Sequence, residues 1–131
     1  LNACQQIPVS RGTEKAKDSL LHAQEALKVD KCVAIYPEAT ISDTKKLLPI
    51  KSGAIRLAQD TGVEIVLVGT YGAHRLWTKG SCPKLRFRTK HAMVVAKGYK
   101  IEKNKDIEEA RTEMFNKLTA LALEAKKKLG G

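Results

Sequence analysis

Two kinds of apolar pattern alternate along this chain of 131 residues. One is a continuous run: Cys32-Val33-Ala34-Ile35-Tyr36 and Val63-Glu64-Ile65-Val66-Leu67-Val68-Gly69-Thr70 are nearly all apolar, as strands buried on both faces of a parallel sheet are. The other is a stripe. Ala16, Leu20, Ala23 and Leu27 recur at i, i+4, i+7 and i+11, so Glu14 to Lys28 reads as an amphipathic helix with Thr13 as its N-cap. Ile107, Ala110, Met114, Leu118, Leu121 and Ala125 draw a longer stripe and predict a helix from Ile107 to Leu129, capped by Asn104-Lys105-Asp106. Glu108 and Glu109 at its start and Lys126-Lys127-Lys128 at its end both oppose the helix dipole.

Shorter patterns fill the gaps. Ala54 to Asp60 is helical in spacing, with Gly62 where a left-handed C-terminal cap belongs. Ile7-Pro8-Val9 is a short extended run, Lys84 to Arg88 alternates as a half-exposed strand does, and Ala92 to Ala96 forms another strand. The order strand, helix, strand, helix, strand predicts an α/β fold: a mixed, largely parallel sheet flanked by helices. A single domain, residues 1–131, suits the length, and no repeat or linker divides the chain.

The interruptions of the pattern carry the candidate chemistry. Pro37 has no N–H to give to a ladder, so the Cys32 strand ends there and delivers Glu38 to the carboxyl edge of the sheet, where open α/β folds bind ligands. Two readings fit Glu38 equally: a turn glutamate on the surface, or a carboxylate held to hydrogen-bond a ligand hydroxyl or a backbone N–H. Arg11 follows the first extended run and reads either as a solvated turn residue or as a guanidinium gripping a phosphate. Lys51, with Ser52 and Gly53 ahead of the Ala54 helix, adds a cation at a helix N-terminus, although the glycine order of a P-loop is absent. Between Glu38 and Lys51 lies a polar stretch, Ala39 to Lys46, of functional loop length.

Composition narrows the class. With 43% hydrophobic and 29% charged residues the chain is that of an ordinary soluble globular protein, and its apolar runs fall far short of the roughly 20 residues that cross a bilayer. The balance of 24 Lys+Arg against 14 Asp+Glu, +10 in net charge, favours nucleic acid, anionic headgroups or phosphorylated substrates without choosing among them. Cys4, Cys32 and Cys82 fall in no metal-type spacing, and three cysteines do not make a disulfide framework; a reducing cytoplasm is the expected setting. His22, His74 and His91 have no second ligand at metal spacing.

Taken in order, Ile7-Pro8-Val9-Ser10-Arg11, Ile35-Tyr36-Pro37-Glu38-Ala39-Thr40, Leu47-Leu48-Pro49-Ile50-Lys51-Ser52-Gly53, Val63 to Gly69 and His74-Arg75-Leu76-Trp77-Thr78-Lys79-Gly80 resemble blocks of the glycerolipid acyltransferases of the bacterial 1-acyl-glycerol-3-phosphate type. The resemblance implies acyl transfer from acyl-CoA or acyl carrier protein to the free hydroxyl of lysophosphatidic acid, giving phosphatidic acid. It implies no cofactor beyond that acyl donor, a lysophospholipid acceptor, and a peripheral place on the cytoplasmic face of a membrane. By the same resemblance Arg11 binds the acceptor phosphate, and Tyr36-Pro37-Glu38-Ala39-Thr40 matches an aromatic-Pro-Glu-Gly-Thr motif in which Glu38 helps to hold the glycerol phosphate. The substrate-binding set is then Arg11, Glu38, Thr40 and Lys51.

Two departures qualify the match. Ala39 replaces the motif's glycine, and Ile41 stands where an arginine commonly follows the threonine. The family's His-x-x-x-x-Asp is also absent: five residues after His22, His74 and His91 come Leu27, Lys79 and Ala96. No catalytic residue is therefore assigned, and the chain is expected to be the C-terminal portion of an acyltransferase domain, N-terminally truncated and inactive alone. The rival expectation is a small basic module for nucleic acid. Against it, aromatics make up only 5% of residues, and Phe87 alone lies in a strand with interleaved basic residues, thin for base stacking; no nucleic-acid partner is expected.

Overall fold

The computed structural model of the chain describes residue 7 and residues 15–40, 46–75 and 89–130. Arg11, the Thr13 cap, Trp77 and the expected Lys84 to Arg88 strand lie outside the described residues. Three stretches of local sequence fold as their patterns dictate. Helix α1 is Lys15–Lys28, and of its stripe Ala23 is buried while Leu20 and Leu27 are half-buried. Helix α2 is Gly53–Thr61 and stops at Gly62, whose left-handed φ of 69° lets its N–H donate to Ala58 O at 2.8 Å, the expected glycine cap. Helix α3 is Ile107–Lys128. Its cap is Asp106, whose carboxylate accepts from the Glu108 and Glu109 N–H groups at 3.0 Å each, satisfying two donors that the first turn would otherwise leave open.

The sheet of the described residues has two strands, β1 (Val68–Tyr71) and β2 (Ala92–Val95), which run antiparallel. Val68 stands opposite Val95, Gly69 opposite Val94 and Thr70 opposite Met93. Pairing resumes beyond an irregular step, with Ala96 N–H donating to Leu67 O and Ile65 and Tyr99 exchanging both backbone bonds at 2.8 and 3.0 Å. Helix α3 lies across both strands, and α1 packs on α2. Ala110, Met114 and Leu118 of α3 meet Ile50, Ile55, Ala58, Leu67 and Ile101 in the core. Gln59 bridges α2 to the approach of α3 by donating to the carbonyls of Glu102 and Lys105. Its buried amide is thereby satisfied.

The α/β class holds, and three details differ from expectation among the described residues. The parallel pairing expected of the apolar runs is not found among the described residues, whose sheet is antiparallel. Cys32 to Tyr36 forms no strand: Ile35 is 41% and Tyr36 88% exposed. An extended segment becomes a strand only when a neighbour takes its N–H and C=O groups, and no described strand lies in register beside it. Val63 to Thr70 likewise is not buried on both faces. Leu67 and Gly69 turn under α3, while Val66, Val68, Met93 and Val95 turn away and are exposed, because a strand places successive side chains on opposite faces.

The surface of α3 is laced by ion pairs. Glu113 hydrogen-bonds Lys105 and lies 2.6 Å from Lys117, and Lys117 stands over the Tyr99 ring, 4.0 Å from its centroid. Those two ammonium groups, Lys105 first, hold the Glu113 carboxyl down at about 2.

Candidate acceptor site

Tyr36 to Ala39 forms a tight turn, closed by the Ala39 N–H donating to Tyr36 O at 3.1 Å. Pro37 takes the second position, where its fixed φ suits a turn. Ala39 leaves the turn with φ 54°, a left-handed conformation in which a Cβ crowds the following carbonyl. The glycine that Ala39 replaces adopts this conformation freely, so the departure from the motif falls on the residue whose backbone most needs glycine.

Two hydrogen bonds tie this turn to the segment leading into α2. Oε2 of half-buried Glu38 accepts the Leu48 N–H at 2.8 Å, and Pro37 O accepts the Lys51 N–H at 2.8 Å. Buried Ile50 sets that segment into the core. Next comes the start of α2. Ser52 occupies the N-cap with φ −76° and ψ −6° but its side chain makes no capping bond, and the first turn holds no acidic residue. The helix thus begins with its positive end uncompensated by its own side chains, beside exposed Lys51. The arrangement is suited to oxygen anions.

The structure therefore brings Glu38 to the segment that carries Lys51, and leaves Thr40 exposed one residue past the turn. Arg11 lies outside the described residues. Sequence reasoning named Glu38 but missed Leu48, whose contribution is a main-chain N–H that no side-chain pattern reports. The histidines stay apart from this site's hydrogen bonds: His22 and His91 are exposed, and His74, in the short helix Ala73–Arg75, meets the Tyr71 ring edge-on at 5.1 Å. Among the described residues no three His, Cys, Asp or Glu converge as metal ligands, and no helix is long and apolar enough to cross a membrane.

With this geometry in hand, comparison with known proteins places the chain in the acyltransferase family, whose family model matches residues 1–70. Among curated relatives, a 1-acyl-sn-glycerol-3-phosphate acyltransferase of Cocos nucifera is 34% identical over 93 residues, 71% of this chain and 29% of that protein. Among solved structures, the 1-acyl-sn-glycerophosphate (LPA) acyltransferase PlsC of Thermotoga maritima superposes with a TM-score of 0.74 at 25% identity, over 86% of this chain and 46% of PlsC. The chain spans less than a third of the curated relative and less than half of PlsC.

Proposed function

We propose that these residues form the acceptor-binding portion of an enzyme that acylates lysophosphatidic acid to phosphatidic acid. In that reaction the acceptor hydroxyl oxygen forms an ester bond to the acyl carbonyl carbon, the thioester C–S bond of acyl-CoA or acyl carrier protein breaks, and the thiol leaves with the proton. The observation that carries the reading is the Tyr36 to Ala39 turn, which with Thr40 resembles the family motif except at Ala39 and is hydrogen-bonded to the segment that opens α2. Lys51 and the uncapped start of α2 supply positive charge for the phosphate, Arg11 adds a bidentate guanidinium, and Glu38 and Thr40 belong to the site through the turn. The net charge of +10 suits an anionic acceptor and a peripheral place on the cytoplasmic face of an anionic membrane.

The chain contains no His-x-x-x-x-Asp, the motif that in the family resemblance supplies a general base oriented by an aspartate to take the hydroxyl proton. The 131 residues alone bind the acceptor and do not turn it over. The test is calorimetric titration of the purified chain with lysophosphatidate below its micelle concentration, alongside Arg11→Ala, Lys51→Ala and a generic oligonucleotide. Binding weakened about tenfold by each substitution supports the proposal. Salt-sensitive oligonucleotide binding indifferent to both substitutions, with no lysophosphatidate binding, overturns it.

A further inference from the structure

The Tyr36 to Ala39 turn is poorly anchored by burial. Tyr36 and Ile35 face solvent, and Ala39 sits in a conformation that its own side chain opposes. What fixes the turn is a two-point clamp. Glu38 Oε2 takes the Leu48 N–H and Pro37 O takes the Lys51 N–H, each at 2.8 Å. The two acceptors are adjacent residues of the turn; the two donors lie three apart on a segment that buried Ile50 sets into the core. Two bonds to one rigid segment fix orientation as well as distance. The first is charge-assisted, and so the stronger.

Building on the acceptor reading above, we infer that Glu38 acts as a positioning residue. Its carboxylate is committed to the Leu48 amide and fixes Thr40 relative to Lys51 and the start of α2; it does not serve by presenting charge to the ligand. Reach and charge are then separable requirements. Glu38→Gln keeps an oxygen at the same reach and loses the charge. Glu38→Asp keeps the charge and falls one methylene short of Leu48. A clamp ranks the glutamine variant above the aspartate variant, and a ligand-facing carboxylate ranks them the other way.

Two measurements on the purified chain decide it, with the amides of α3 as a check that each variant is folded. In amide exchange followed by NMR without ligand, the Leu48 N–H is expected to stay protected in wild type and Glu38→Gln and to exchange roughly 10- to 100-fold faster in Glu38→Asp and Glu38→Ala. With sn-glycerol 3-phosphate as the probe, Glu38→Gln is expected to bind within about threefold of wild type, and Glu38→Asp and Glu38→Ala about tenfold more weakly. An unprotected Leu48 amide in wild type, or Glu38→Asp binding better than Glu38→Gln, overturns the clamp. If wild type binds no glycerol 3-phosphate, the acceptor reading fails, and the order of Leu48 exchange rates then supports or overturns the clamp by itself.

Discussion

Gly69 of β1 and Leu121 of α3 approach so closely that no side chain fits between them: a Cβ on Gly69 would stand 2.5 Å from both the Cβ and the carbonyl carbon of Leu121 and 2.7 Å from Ala122 N. The obstacle is largely helix backbone, which cannot rotate aside as a side-chain tip does. Gly69→Ala must therefore lift α3 off the sheet or bend β1, and overpacking of this kind costs about 1–3 kcal/mol. Urea unfolding is expected to show the upper part of that range, with Gly69→Val at least as damaging. A loss below about 0.5 kcal/mol, the level of an inert surface change, would mean that the helix does not rest where the structure puts it.

Ala39 offers the opposite case. Its φ of 54° is left-handed and its side chain is exposed, so replacing it by glycine relieves backbone crowding and loses no packing. Ala39→Gly is expected to stabilise the chain by about 0.5–1 kcal/mol, the relief of the left-handed conformation exceeding glycine's extra entropy in the unfolded state. The control is Ala58→Gly, buried in right-handed α2. It should lose about 1 kcal/mol or more. Thermal unfolding of the pair checks both signs.

What could be read from sequence divides by the range of the interaction that decides it. The α3 stripe, the Asp106 cap and the Gly62 cap are set within a turn or two of chain, and each emerged at the expected residue. Cys32 to Tyr36 depended on a neighbour. Its apolar pattern states that it suits a buried strand, whereas pairing is a property of the adjacent chain, and no described strand supplies it. Val66 and Val68 failed for the same reason: a run apolar on both faces shows one exposed face when only α3 covers the other. At the candidate site the turn at Pro37-Glu38 was legible from proline chemistry. The bond from Leu48 to Glu38 was not, since the donor is main chain and lies ten residues away in sequence.

Glu113 gives the fold a dependence on acid. Its hydrogen bonds to Lys105 and Lys117 lower its carboxyl from 4.5 to about 2. A carboxyl depressed on folding adds stability that is present above its unfolded value and disappears as pH falls through the folded one. The window therefore runs from about pH 4.5 down to about 2. Glu113 is 41% exposed, so water screens the pair and the contribution is held to a few tenths up to about 1 kcal/mol. Glu113→Gln should be less stable than wild type by that amount at pH 7, and the difference should shrink across this window and vanish only below its lower end. A difference that stays constant across the window would assign the loss to packing.

The antiparallel register makes its own prediction at two adjacent valines. Val94, 8% exposed, points under α3 from its place opposite Gly69, while Val95, 60% exposed, stands opposite Val68 on the open face. Removing two methyl groups from the first leaves a cavity beneath the helix. Val94→Ala is expected to lose about 2 kcal/mol; Val95→Ala removes a group already in water and should lose under about 0.5 kcal/mol. A register slipped by one residue exchanges the two faces of the strand and would reverse the order of these losses. Urea unfolding of the two variants therefore tests the pairing of β1 with β2 directly, and with it the surface on which α3 is seated.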